Sequence, residues 1–222
     1  MKISALLALV ALLAVPMNAQ AGSKAADAKD EARIVMRDFA ECLVARFSPK
    51  RAKEIDAFLA ISPYAPGAGD MGRKFATSDC LSSRYAGTYI ASLQMAPPLL
   101  RGALFRARFV RQFTKRPLGT FAPYDVNASW HVPRDDRFAI YQAIGECAVR
   151  EDPVSSRAIV DADIGSKSED AGFAAIVPAL QKCMPATGTY RFSRAVLEGL
   201  LAEALYNLAA GASAPVPPVE KK

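Results

Sequence analysis

The chain has 222 residues but only one histidine and one tryptophan, and no two of its four cysteines lie close together. Each scarcity excludes a chemistry. A lone His131 leaves no His-x-His metal pair and only one candidate base for a Ser-His-Asp triad. No C-x-x-C exists, which removes a redox dithiol and the usual paired ligands of a zinc site. No G-x-S-x-G elbow precedes a helix. The glycine-rich PGAGDMG at 66–72 lacks the Lys-Ser/Thr of a phosphate loop and reads as a plain loop. Acidic pairs such as Asp135-Asp136 and Asp161/Asp163 are ordinary at loops and helix starts and single out no glycosidase pair. Neither metal nor cofactor is expected. Period-two alternation is nearly absent too; Thr88–Leu93 is the one short strand candidate.

Long apolar runs are also missing, apart from the first residues. MKISALLALVALLAVPMNAQA has a lysine, an apolar run from Ile3 to Val15, a proline and an Ala19-Gln20-Ala21 exit. Those are the three parts of a secretory signal peptide. The run falls short of the roughly 20 residues of a membrane-spanning helix. Residues 1–21 are therefore expected to be removed after Ala21. The mature chain would be periplasmic or secreted and not membrane-spanning. Residues 22–30 read as a flexible segment, and the Pro-rich tail 211–222 as disordered.

An oxidising compartment makes Cys42, Cys80, Cys147 and Cys183 a disulfide framework. Four cysteines allow three connectivities, and an internal repetition chooses among them. ECLVARFSP opens at Glu41 and ECAVREDP at Glu146. Cys80-Leu81 answers to Cys183-Met184. LLRGALFRARF (99–109) lines up with VLEGLLAEALY (196–206), sharing G-x-L-x-x-A-x-aromatic at Gly102 and Gly199. Three blocks recur in order, which points to duplication. The pairing should then repeat as Cys42–Cys80 and Cys147–Cys183. Each bridge would close a loop of nearly forty residues and stabilise by roughly 4 kcal/mol.

Helical spacing dominates. Ile34, Val35, Met36, Phe39, Cys42, Leu43 and Phe47 share one face, followed by Ala52, Ile55, Phe58 and Leu59. Phe138, Tyr141, Ile144, Ala148 and Val149 repeat the pattern. Ser193 suits an N-cap, and Pro97-Pro98 a first turn. The expected fold is all-α: two similar modules of about four helices, 31–113 and 136–210, with a connector at 114–135. They would pack as one pseudo-twofold, disulfide-stapled domain. Gly102 and Gly199 cost their helices about 1 kcal/mol each relative to alanine, which suggests close helix–helix approach. Glu41 and Glu146 are placed to pair with Arg46 and Arg150.

The E-C-x-V-x-R-x-x-P opening and the later L-x-G-x-L-x-x-A-x-Y helix resemble a group of uncharacterised exported alphaproteobacterial proteins. The resemblance covers most of residues 39–206 and implies no activity. The first copy departs from it in Phe109 and in its arginine-rich helix.

That helix lies in the most unusual region. From Cys80 to Tyr124 there are seven basic residues and no acid. Phe105, Phe109 and Phe113 recur every four residues, and Arg101, Arg108 and Lys115 every seven, so an aromatic stripe runs beside a basic one. The ordinary reading is a phenylalanine core under a solvated basic face. The functional alternative makes Arg101, Arg106, Arg108, Arg111, Lys115 and Arg116 a surface for an anionic envelope partner: lipopolysaccharide, anionic lipid or an acidic protein. Nucleic acid is not expected, as no such motif is present. The connector, with Phe121, Tyr124, Trp130 and His131, would either strap the seam between modules or line a pocket there. The chain thus reads as an exported envelope protein with a non-catalytic binding or structural role through the helix at 101–116. The alternative is a small periplasmic hydrolase with its site near His131.

Overall fold

A computed structural model describes residues 23–46, 48–75, 80, 96–124, 137–185 and 190–211. Among them every regular element is a helix: α1 (Ser23–Ala45), α2 (Pro49–Ala60), α3 (Ala68–Phe75), α4 (Pro97–Phe113), α5 (Arg137–Glu151), α6 (Pro153–Asp161), α7 (Lys167–Ala175), α8 (Val177–Cys183) and α9 (Arg194–Ala209). The signal-peptide run, the strand candidate at 88–93 and the tail beyond Gly211 lie outside the described residues.

Local chemistry starts these helices. Ser48 accepts a hydrogen bond from the Arg51 N–H, with Pro49 in the first turn of α2; Asp152 does the same for the Ser155 N–H, with Pro153 opening α6. A cap acceptor followed by proline is the economical way to begin a helix, because proline lacks only an N–H that would be orphaned there. Ser193 caps α9 through the Val196 N–H, as its position suggested. Pro97 and Pro98 open α4 without a side-chain cap. Two boundaries differ from the sequence reading. Residues 23–30 belong to α1; the alanines and lysines of SKAADAKD are good helix formers. The helix leading to Cys183 is split at Ile176, with Pro178 in the first turn of α8, since proline cannot continue the α7 ladder.

The expected disulfides are formed. Cys42 is joined to Cys80 and Cys147 to Cys183, with Cα separations of 5.6 and 5.7 Å. α9 lies at the centre, packed on α4, α5 and α6. Every residue from Leu197 to Leu205 is buried, so this helix is enclosed on all sides.

α4 and α9 approach each other closely. A Cβ on Gly102 would lie 2.5 Å from the Cα of Gly199, and one on Gly199 would lie 2.8 Å from the Cα of Gly102. The two glycines singled out by their repeated motif therefore face each other. Around them, Phe109 stacks on Phe113, and Tyr206 packs against both Phe105 and Phe113. The aromatic stripe of α4 is core.

Candidate functional site

The basic residues of α4 do not share one face. Arg101 and Arg106 are buried. Arg101 forms a two-pronged pair with Glu203, Nε to Oε2 at 2.9 Å and Nη2 to Oε1 at 2.6 Å. Its remaining nitrogen donates to the carbonyls of Leu59 and Ile61, satisfying the end of α2. The guanidinium also lies 5.0 Å from the ring centres of Phe105 and Phe138. Arg106 donates to Glu41 at 2.5 Å and to the Val160 carbonyl, and stands 3.4 Å from Glu198. Both arginines thus spend their hydrogen-bonding capacity inside the chain, and neither is part of an exposed surface. Glu41, expected beside Arg46, receives Arg106; the Glu146–Arg150 pair forms as expected, at 2.7 Å.

Of the other four cations, Arg108 is half-buried and three are exposed. Arg108 pairs with Asp56 at 2.6 Å. Arg111 is exposed and reaches the Val44 carbonyl; Lys115 and Arg116 are exposed, and Arg116 lies over Phe113. In the connector, Phe121 is half-buried against the core and Tyr124 is half-buried. Trp130 and His131 lie outside the described residues.

Arg106 leads to a charge cluster midway along α1. Glu198 receives Arg37 through Nε at 2.9 Å and Nη2 at 2.6 Å, and Arg33 through Nη2 at 3.1 Å. Arg33 also bonds Glu169 and Asp30. Arg37 caps the end of α6 by donating to the Ala162 carbonyl. Glu169 takes a further bond from the N–H of Gly165, whose φ of +74° is a conformation that glycine adopts freely.

Three guanidiniums, Arg33, Arg37 and Arg106, are about nine-tenths buried, beside two comparably buried carboxylates, Glu169 and Glu198. Asp30 and Glu41, at the rim, complete the pairing of Arg33 and Arg106. Burial, together with the like charges of Arg106 and Arg33, holds the Arg37 guanidinium below the ordinary value in spite of Glu198. Burial pushes Glu169 up, but Arg33 and the Gly165 N–H outweigh it, leaving this carboxyl below its usual range. One donor in the cluster, the buried Nε of Arg33, has no hydrogen-bond partner.

Beside the cluster is a cavity of about 530 Å³ between α1, α4 and the start of α9. Its walls are mainly apolar: Met36 and Ala32 of α1, Leu99 and Ala103 of α4, Ala195 of α9, and the backbone at Gly102 and Gly199. Arg33, Arg37 and Glu198 also line it. The exposed Lys29 and half-exposed Arg194 also line it, as do Asp30 and Ser193. Small side chains make this space: with no Cβ on either glycine and only methyl groups at 32, 103 and 195, three helices meet without filling it.

Sequence reasoning passed over this site. Arg33 and Arg37 lie one helical turn apart among apolar residues, and Glu198 and Glu203 interrupt an otherwise apolar helix. Charges in such positions require buried partners, and that signal was present in the text. Among the described residues, no group of three or more His, Cys, Asp or Glu side chains is placed to hold a metal. No family model, no curated protein and no solved structure matches the chain.

Proposed function

We propose that this chain is an exported, non-catalytic binding module built from two copies of one disulfide-stapled helical unit, and that its ligand enters the cavity between α1, α4 and α9. The observation that carries this reading is the cavity itself. Its volume of about 530 Å³ falls within the ~300–1,000 Å³ of small-molecule sites, and apolar walls with a few grouped polar side chains are the usual composition of such sites.

Duplication is supported by reciprocal contacts. Arg101, immediately before Gly102, pairs with Glu203, four residues after Gly199. Glu198, immediately before Gly199, meets Arg106, four residues after Gly102. Such an exchange of partners is the signature of a twofold interface. The nearly equal disulfide loops and the two Ser/Asp-Pro helix starts fit the same origin. Export is supported by the two disulfides, which persist in oxidising compartments, and by the signal-peptide pattern. No described helix is long and apolar enough to cross a membrane.

The test is titration of the purified exported protein with Nile red, a neutral dye that fluoresces in apolar surroundings. One saturable site is expected, abolished by Ala103→Phe, which fills the cavity. Absence of saturable binding would overturn the reading. A second reading keeps an anionic envelope partner on the end of α4, because Arg111, Lys115 and Arg116 stay exposed there. It predicts a salt-sensitive partner in a pull-down, lost when those three residues are changed to glutamine. The hydrolase alternative gains nothing from the described residues, since its one named base, His131, lies outside them.

A further inference from the structure

The polar lining of the cavity says more about the ligand than its volume does. Each of the three guanidiniums is paired, so what bears on a ligand is the charge that faces the cavity. Three features put positive potential there. The Arg33 side chain, nine-tenths buried, lines the cavity and has an unpartnered Nε. Lys29 lines it as well and makes no ion pair among the described residues. The first turn of α9, through Ser193, Arg194 and Ala195, forms part of the wall, and a helix N-terminus favours negative charge. The carboxylates at the wall are already engaged: Asp30 by Arg33, and Glu198 by Arg33, Arg37 and Arg106. Arg194 is held by Asp170 and lies 3.6 Å from Glu169.

The same cavity is lined by Met36, Leu99, Ala103 and Ala195, which offer only hydrocarbon. One kind of small molecule suits both kinds of lining. We propose that the cavity binds an amphiphilic carboxylic acid, with its carboxylate on the Arg33 side and its hydrocarbon body against α4 and α9. This rests on the cavity's being the binding site and adds the chemistry of the ligand. The carboxylate would meet the positive potential on that side, while the body is withdrawn from water.

The experiment displaces Nile red from the purified exported protein with dodecanoate, dodecan-1-ol and acetate. Dodecanoate and the alcohol share a hydrocarbon chain and differ in the head group; acetate keeps the head group alone. Dodecanoate should displace the dye, and dodecanol should need at least about tenfold more, the difference expected of one charge-assisted contact out of water. Acetate should fail at any concentration that leaves the protein folded. Ala103→Phe and, separately, Ala195→Phe should abolish dodecanoate binding; two variants guard against one that misfolds, with circular dichroism as the check. Equal displacement by dodecanol and dodecanoate would overturn the assignment of a carboxylate while leaving the cavity a binding site. Dodecanoate binding that survives both filled variants would place the acid elsewhere and overturn the proposal. If Nile red itself does not bind, the proposal falls together with the binding function.

Discussion

α4 and α9 carry the same glycine-centred spacing and opposite charges. In α4 the positions one before and four after the glycine are Arg101 and Arg106; in α9 they are Glu198 and Glu203. Read along the sequence, that difference looks like one helix acquiring a basic surface. In space the two sets neutralise each other across the glycine contact. The partners that Arg101, Arg106 and Arg108 call for are carboxylates of the same chain: Glu203, Glu41 with Glu198, and Asp56. Charge divergence between two similar helices can also select which helices meet. Two α4 helices placed together would bring arginine to arginine, and two α9 helices glutamate to glutamate, whereas α4 with α9 satisfies both.

The largest effect is expected where this arrangement is broken from one side. Arg101→Met leaves Glu203 buried with only Gln142 and should cost about 3–5 kcal/mol in urea unfolding. A loss below 1 kcal/mol would mean that the pair is hydrated. The two disulfides test whether the halves are equivalent. They close loops of similar length, 38 and 36 residues apart, so Cys42→Ser with Cys80→Ser and Cys147→Ser with Cys183→Ser should each cost roughly 4 kcal/mol. Clearly unequal losses would break the symmetry of the comparison. The glycines sharpen it. Gly102→Ala and Gly199→Ala each push α4 from α9, an overpacking cost of about 1–3 kcal/mol partly offset by a helix-propensity gain of about 1 kcal/mol. Both should lower the melting temperature, by similar amounts.

Acid gives a smaller and more local effect. Glu169 titrates below its ordinary value of 4.5 in the folded protein, so its contribution is complete above that value and is lost as pH falls through the lower folded value. The wild-type protein should lose stability below about pH 4.5, and Glu169→Gln should flatten that part of the profile while lowering the plateau. The smallest effect belongs to the exposed pair Lys182–Glu151, where Lys182→Ala should change stability by no more than about 0.5 kcal/mol.

Much of the framework was legible in the sequence. The periodic apolar residues placed most of the helices, and the repeated phrases gave the correct disulfide pairing because corresponding cysteines stand at corresponding intervals. The glycines were recognised as packing positions, since a glycine that weakens a helix needs a compensating contact. Their mutual contact was not foreseen, because it depends on how the two helices cross. Arg101 and Arg106 were placed on the surface for a related reason, although both are buried. Helical spacing put Arg101, Arg108 and Lys115 along one stripe, but it cannot say which neighbour covers each turn; α9 covers Arg101, and Arg108 meets Asp56 of α2. The cavity left even less trace, because it arises from methyl groups and missing side chains on three helices far apart in the sequence.

The most direct measurement is a set of double-mutant cycles at the four charged positions beside the glycines, read by urea denaturation with the disulfides intact. The exchange of partners predicts coupling of about 2 kcal/mol or more for Arg101 with Glu203, a clear coupling for Arg106 with Glu198, and much smaller values for Arg101 with Glu198 and Arg106 with Glu203. Equal coupling in all four combinations, or none in the first two, would contradict the account.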